Sequence, residues 1–253
     1  ATLLGSFLTQ FMRIPFIGAV IVTVLYLLSA HLLYKSLSKL SGGPVMAGLS
    51  FLPVVFLFLC MENDYYRFQG HIAFILMLTA LYAYASIPKD RLRYLAGALT
   101  VPVLYHAAGS IALVFAVAAV IWDLAANGIK GFRSLICPAV FAITAVVYVK
   151  ASMVSSWEHS LTPFMYYDWP STYFFPVYAW TMVPLLFLLA WILSKLKIRL
   201  LDSKISAIAV IILLFFIAGN FYSQVHSRSY YRLIQEQYWA ENEDWDTIIK
   251  TAD

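Results

Sequence analysis

The sequence carries little charge for its length. Asp, Glu, Lys and Arg together make up 12% of its 253 residues, whereas hydrophobic residues make up 62%. Water-soluble domains carry about 25% charged residues and about 45–50% apolar ones. Because surface area shrinks slowly relative to volume as a chain grows, a single soluble core cannot hide this apolar excess. We therefore expect lipid to be the solvent for much of the protein surface.

Motifs of several enzyme classes are absent from the sequence. It has no H-x-x-x-H, C-x-x-C, G-x-S-x-G or glycine-rich phosphate loop, which argues against zinc proteases, serine hydrolases and nucleotide-binding enzymes. It also has no basic stripe with interleaved aromatic residues, so we expect no nucleic-acid partner. The two cysteines, Cys60 and Cys137, are predicted at opposite membrane faces and therefore unpaired.

Long hydrophobic runs dominate what is present. A helix needs about 20 mostly apolar residues to cross a bilayer. Runs of this kind predict an all-α fold, a polytopic transmembrane helical bundle of about eight membrane segments. The predicted segments are residues 14–34, 44–61, 71–88, 94–122 (two segments), 132–150, 173–193 and 205–222.

The run at residues 94–122 has no Asp, Glu, Lys or Arg. Its roughly 29 residues would form a helix of about 43 Å, whereas the hydrocarbon core of a bilayer is about 30 Å thick. Pro102 and the stretch at residues 105–110 interrupt the run. We therefore predict two short helices that are joined by a tight hairpin.

Basic residues are concentrated in every second connection between these segments. They concentrate in the first, third, fifth and seventh connections: Lys35 and Lys39; Lys89, Arg91 and Arg93; Lys130 and Arg133; Lys195, Lys197, Arg199 and Lys204. Lys and Arg accumulate in cytoplasmic loops, so the other connections are predicted to lie outside. The sequence thus predicts a multi-pass protein of the bacterial cytoplasmic (inner) membrane.

The chain changes character after Tyr222. Residues 223–253 hold six acidic residues and three Lys or Arg, and their apolar residues recur at helical spacing. We predict a transmembrane helical domain at residues 1–222 and a short extracytoplasmic amphipathic helical tail at residues 223–253. The segment E-D-W-D-x-I-I resembles a tetratricopeptide-type repeat entering its second helix, and an ordinary amphipathic tail is the alternative. We also expect further native segments beyond both ends of the chain.

Polar residues suited to chemistry map to the predicted outer connections. Glu62 and Asp64 are the candidate catalytic residues. The candidate substrate-binding residues are Arg67, His71, His106, Glu158, His159 and Asp168. Carboxylates with imidazoles suit a divalent cation or proton exchange, and the Arg67 guanidinium suits a phosphate. The alternative is that these residues have no shared function and are polar only because the loops are exposed to water.

The segment R-L-R-Y-L-A-G at residues 91–97, followed by Val101-Pro102, Gly109 and an apolar run to Trp122, resembles part of a known family. It is similar to the paired short helices of polytopic lipid-sugar glycosyltransferases of the GT-C architecture. That family places acidic residues in outer loops, and Glu62 and Asp64 match its second acidic loop by position. The resemblance implies transfer of a sugar from a polyprenyl-phosphate-linked donor at the outer face.

A second resemblance runs nearly end to end. The segment L-G-S-F-L-T-Q-F at residues 4–11, Pro15, the Gly18-Ala19 pair and the W-D-x-I-I tail are similar to an uncharacterised bacterial family. Its members are multi-span inner-membrane proteins with C-terminal helical repeats. This resemblance implies an alternative function, a non-enzymatic membrane scaffold whose tail recruits a periplasmic partner for envelope assembly. A transporter is disfavoured, because the predicted segments hold almost no charged residues.

Overall fold

The computed structural model describes residues 1–11, 14–40, 44–61, 67–151, 174–196 and Gly219. Every regular element in these ranges is helical, with no strand among them, so the all-α prediction is confirmed for this part of the chain. The chain divides into two compact units, Ala1–Ser206 and Ala207–Asp253. The predicted domain boundary after residue 222 and the helical tail lie outside the described residues and stay predictions.

Nine α-helices and two 3-10 segments make up the described residues. The helices are α1 (Thr2–Phe11), α2 (Pro15–Leu37), α3 (Pro44–Leu49), α4 (Leu52–Met61), α5 (Gln69–Ser86), α6 (Asp90–Ala108), α7 (Ala112–Asn127), α8 (Ile136–Ala151) and α9 (Phe174–Leu196). One 3-10 segment, Gly109–Ile111, links α6 to α7, and the other, Gly128–Leu135, links α7 to α8.

Proline explains several of the helix boundaries. α2 begins with Pro15, which has no N–H and therefore loses nothing in the first turn. α5 stops before Ile87, which is extended (ψ 116°) because a residue before proline disfavours the helical conformation. The predicted segment at residues 44–61 is divided into α3 and α4. Pro53 explains this break, since it cannot donate a hydrogen bond to the Leu49 carbonyl four residues earlier.

The uncharged run at residues 94–122 is divided into two helices, as predicted, and the break begins at Gly109, within the predicted stretch at residues 105–110 rather than at Pro102. α6 continues through Pro102 and ends at Ala108. Gly109 follows with φ 73°, a backbone conformation that residues with a Cβ rarely adopt. The glycine, rather than the proline, therefore ends the helix and begins the turn into α7.

Two helices lie at the centre of the first unit. α5 packs against α2, α6 and α7, and α7 also packs against α8 and α9. The largest fully buried side chains include Phe74 of α5, Phe115 of α7, and Trp180 and Phe187 of α9. Apolar packing therefore holds α5, α7 and α9 together.

Among the residues that the structure describes, two helical stretches are long and apolar enough to cross a membrane. They are Phe16–Leu37, which contains an 18-residue window with a mean hydropathy of 2.3, and Asp90–Ala151, which contains one with a mean hydropathy of 2.1. The second stretch comprises α6, α7 and α8 and the 3-10 segments between them. Two shorter apolar stretches are Met46–Phe58, which covers the end of α3 and most of α4, and Ala179–Ile192 within α9. The count of eight membrane segments stays a prediction.

Candidate functional site

Arg93 and Asp123 form an ion pair in the protein interior. Arg93 lies in the first turn of α6 and Asp123 near the end of α7. The turn at Gly109–Ile111 makes these helices antiparallel, so the start of α6 meets the end of α7. Arg93 Nη2 lies 2.7 Å from Asp123 Oδ1, and Nε lies 3.0 Å from the same oxygen. Arg93 is 3% exposed and Asp123 is fully buried.

Further hydrogen bonds engage the remaining polar atoms of both side chains. The Tyr84 hydroxyl donates to Asp123 Oδ2, and the Asn127 amide donates to Oδ1 over 3.1 Å. Arg93 also donates to the Ile87 carbonyl at 3.0 Å and to Asp90 Oδ1 at 2.6 Å. A buried ion pair is favourable only where such bonds replace the water that both charges lose. We call Tyr84, Asp90, Arg93, Asp123 and Asn127 the α6–α7 clasp.

Aromatic rings surround the clasp. The Arg93 guanidinium carbon lies 4.8 Å from the centre of the Trp122 ring and 5.7 Å from that of Tyr94, within the range of a cation–π interaction. The Tyr84 ring meets Phe115 and Trp122 edge to face, at centroid distances of 5.8 and 6.4 Å. These rings exclude water and thereby strengthen the electrostatic interactions inside.

Two glycines allow the backbone to approach the clasp closely. A Cβ at Gly97 would lie 2.6 Å from Tyr84 Cε2 and 2.8 Å from Cys137 Sγ. A Cβ at Gly131 would lie 2.4 Å from the Asp123 carbonyl oxygen. All three distances are shorter than van der Waals contact, so a larger residue at either position would displace part of the clasp.

The helix dipoles of α6 and α7 disfavour the charges of Arg93 and Asp123. Helix N-termini stabilise acids and C-termini stabilise bases, whereas Arg93 lies at the N-terminus of α6 and Asp123 towards the C-terminus of α7. The ion pair between the two helices compensates for both placements, and Asp90 of α6 adds a second carboxylate beside Arg93. The clasp therefore fixes how α5, α6 and α7 close at this end, and its donors and acceptors are engaged within the protein.

Basic connections lie at the same end as the clasp. Lys39, after α2, donates to Ser86 at the end of α5 over 2.6 Å and lies 4.9 Å from the Tyr82 ring centre. The Tyr94 hydroxyl of α6 donates to the Lys130 carbonyl after α7 over 3.4 Å. The first, third and fifth basic connections therefore meet at one end of the first unit, which we call the basic end.

The described candidate residues from the sequence lie at the opposite end. Arg67 is exposed and precedes α5. His71 is buried in the first turn of α5, where its ring stacks on Phe68 and meets Tyr26 edge to face at a centroid distance of 4.8 Å. His106 is exposed in the last turn of α6. The remaining candidates, Glu62, Asp64, Glu158, His159 and Asp168, lie outside the described residues.

Helix α1 links these positions. The Ala1 amino group donates to the Ala107 carbonyl, and Gly5 lies directly against Gln69 of α5. Ala1 and Gly5 are one helical turn apart, a rise of about 6 Å. The start of α5 and the end of α6 therefore lie close together at this end.

His106 has a partner on another helix. Its Nδ1 shares a hydrogen bond with the Tyr148 hydroxyl of α8, so the imidazole is oriented although it is exposed. A histidine and a phenol at the surface are suited to exchanging protons with a bound molecule. Within the described ranges, no three His, Cys, Asp or Glu residues cluster as metal ligands would.

The sequence reasoning missed the clasp. It assigned Arg93 to a loop, whereas the structure buries it in α6, and it gave Asp123 no role. A signal was nevertheless present, because Arg93 and Asp123 directly flank the uncharged run at residues 94–122. Opposite charges at the two ends of a predicted helical hairpin are brought together when the hairpin forms.

The described fold and clasp define an all-helical protein whose central helices are joined by a buried ion pair. The chain belongs to a family of unknown function (DUF6057), whose model matches residues 1–253. This agrees with the predicted membership of an uncharacterised family, while the resemblances to GT-C glycosyltransferases and to tetratricopeptide repeats stay predictions. No curated protein and no solved structure matches the chain.

Proposed function

We propose that the protein is a multi-span protein of the bacterial inner membrane, with about eight segments and an extracytoplasmic tail. The length and hydropathy of Phe16–Leu37 and Asp90–Ala151 support this proposal. So do the exposed apolar side chains of α2 and α6, among them Val24 (56% exposed) and Val103 (68% exposed), which would contact lipid. The basic end would face the cytoplasm.

At the outer face, the protein would transfer a sugar from a polyprenyl-phosphate-linked donor. The observation that supports this most directly is the exposed His106–Tyr148 pair, which shares an end with Arg67 and lies opposite the basic end. Arg67 would bind the donor phosphate. Glu62 or Asp64, from the same connection, would accept the proton of the acceptor hydroxyl or bind a divalent cation.

The test is sugar transfer by the full-length protein in vesicles that contain a radiolabelled polyprenyl-phosphate hexose. Glu62→Ala and Asp64→Ala should abolish transfer, and Arg67→Ala should weaken donor binding. Arg133→Ala is the matched control, because Arg133 is exposed and lies in the 3-10 segment at the basic end. Full activity in both carboxylate variants would remove this connection from the mechanism.

A scaffold for envelope assembly is the second candidate function. Its support is the division of the chain into two compact units, the second being Ala207–Asp253. A separable unit could recruit a periplasmic partner without any chemistry. Deletion of the residues after Tyr222 should then abolish co-purification of that partner while Glu62→Ala leaves it intact. If nothing co-purifies with the full-length protein, the scaffold has no support.

A further inference from the structure

An open groove runs along α2 where this helix faces α3 and the Ser50-Phe51 break. Its volume is about 530 Å³, within the range of about 300–1,000 Å³ that is usual for ligand sites. Val24, Leu27, Leu28 and Phe51 supply most of its apolar wall, and His31 and Tyr34 lie at one end. The groove is therefore apolar along its length and polar at its mouth.

The mouth of the groove is also basic. His31 is exposed, and exposed Lys35 follows one helical turn later on the same face of α2. Within the described residues, neither side chain has a hydrogen-bond or ion-pair partner, unlike Lys39, which donates to Ser86. Two basic side chains are thus available at the mouth to contact an anionic group.

The length of the groove matches one leaflet of a bilayer. Its lining extends from Val24 to Tyr34 along α2, which is about 15 Å at 1.5 Å per residue. That is about half of a hydrocarbon core of about 30 Å. The mouth lies at the basic end, where α2 finishes and Lys39 contacts α5. The apolar part of the groove would therefore lie within the leaflet on that side.

We propose that this groove binds one acyl chain of an anionic phospholipid from the leaflet at the basic end. The chain lies along Val24, Leu27, Leu28 and Phe51, and the headgroup phosphate is held by Lys35 together with His31. This assignment rests on the proposed membrane location, and it concerns the opposite end from the proposed transfer site. The basic side chains at the mouth complement an anionic headgroup, and the groove is one leaflet long, which together favour a phospholipid over a protein partner.

Native mass spectrometry of the full-length protein in detergent tests this proposal. Phosphatidylglycerol and phosphatidylcholine with identical acyl chains are titrated separately, and polyprenyl monophosphate is the third ligand. We expect phosphatidylglycerol to bind more tightly than phosphatidylcholine. His31→Gln/Lys35→Gln should weaken phosphatidylglycerol binding about fivefold, the equivalent of about 1 kcal/mol for one cation at an anionic surface. Lys130→Gln/Arg133→Gln removes basic residues from the same end but away from the groove, and it should change binding little.

A second pair of variants tests the groove itself. Ala47→Phe places a ring in the groove and should weaken the binding of phosphatidylglycerol, whereas Ala142→Phe adds the same ring to an exposed position of α8. Equal binding of both phospholipids, or equal effects of the two phenylalanines, would overturn the proposal. Binding of polyprenyl monophosphate that is tighter than that of phosphatidylglycerol, and that Ala47→Phe weakens, would overturn the phospholipid assignment.

Extraction of membranes with alkaline carbonate distinguishes a failure of the groove assignment from a failure of the proposed membrane location. A protein that carbonate releases is not integral, and both proposals then fail. A protein that stays in the membrane but shows no preference for phosphatidylglycerol contradicts only the groove assignment.

Discussion

Arg93 Nη2 and Asp123 Oδ1 lie 2.7 Å apart although the two residues are separated by 30 positions in the chain. Each residue lies at the end of a helix, and the turn at Gly109–Ile111 brings these ends together. Both side chains are almost completely shielded from solvent. The closure of the α6–α7 hairpin therefore depends on a charge that each helix supplies to the other.

Asp123→Asn should destabilise the protein strongly. It leaves the buried Arg93 guanidinium with the half-exposed Asp90 as its remaining carboxylate partner, and breaking a buried pair in this way typically costs about 3–5 kcal/mol. The free energy of unfolding in detergent, from denaturant titration, measures the effect. Asp90→Asn is the control, because Asp90 also contacts Arg93 but its side chain is 49% exposed. Its cost should be at most about 1 kcal/mol, and equal losses in the two variants would contradict the clasp.

Tyr84→Phe should cost less than Asp123→Asn. It removes the hydroxyl that donates to Asp123 Oδ2 but keeps the ring against Phe115. Leaving one buried acceptor without its donor typically costs about 1–3 kcal/mol. Tyr82→Phe on the same helix is the matched control, because its half-buried ring contacts Lys39 and would be retained. If Tyr84→Phe unfolds with the free energy of the wild type, its hydroxyl does not stabilise the clasp.

Gly97→Ala tests the close contact between α5, α6 and α8. The added methyl group would lie 2.6 Å from Tyr84 Cε2 and 2.8 Å from Cys137 Sγ. Both partners are buried, so one of them must shift, and overpacking of this kind typically costs about 1–3 kcal/mol. Leu99→Ala, on an exposed part of the same helix, should change the free energy of unfolding by about 0.5 kcal/mol or less. Wild-type stability in Gly97→Ala would show that the helices yield at this contact.

Helix positions could be predicted from the sequence because they follow from local properties. Apolar runs of the right length gave α2, α5 and the hairpin, and Pro88 limits α5 in the structure as in the prediction. The break in the segment at residues 44–61 was missed, although Pro53 supplies its physical reason. Pro102 was predicted to interrupt a helix, but α6 continues through it. A helix that packs on its neighbours can continue past one missing hydrogen bond.

The clasp could not be predicted in the same way. Its bonds join α5, α6 and α7 across separations of 30 and 39 residues, and no local pattern specifies which polar groups will meet. The prediction treated Arg93 as a cation of a loop. In the structure Arg93 is buried in α6 and forms an ion pair with Asp123. The predicted outer residues illustrate the same limit, since His71 is buried among rings whereas His106 is exposed beside Tyr148.

Cysteine labelling tests the proposed orientation of the α6–α7 hairpin. Ile129 is 85% exposed after α7, at the basic end, and Ala107 is exposed beside the turn that follows α6. In intact cells, a membrane-impermeant maleimide should label Ala107→Cys but label Ile129→Cys only after the membrane is opened, because the basic end is predicted to face the cytoplasm. Both variants would carry Cys60→Ser, while buried Cys137 stays as it is. Labelling of the Ile129→Cys variant in intact cells would reverse the orientation. Labelling of both variants alike would contradict the prediction that α6 and α7 each cross the bilayer.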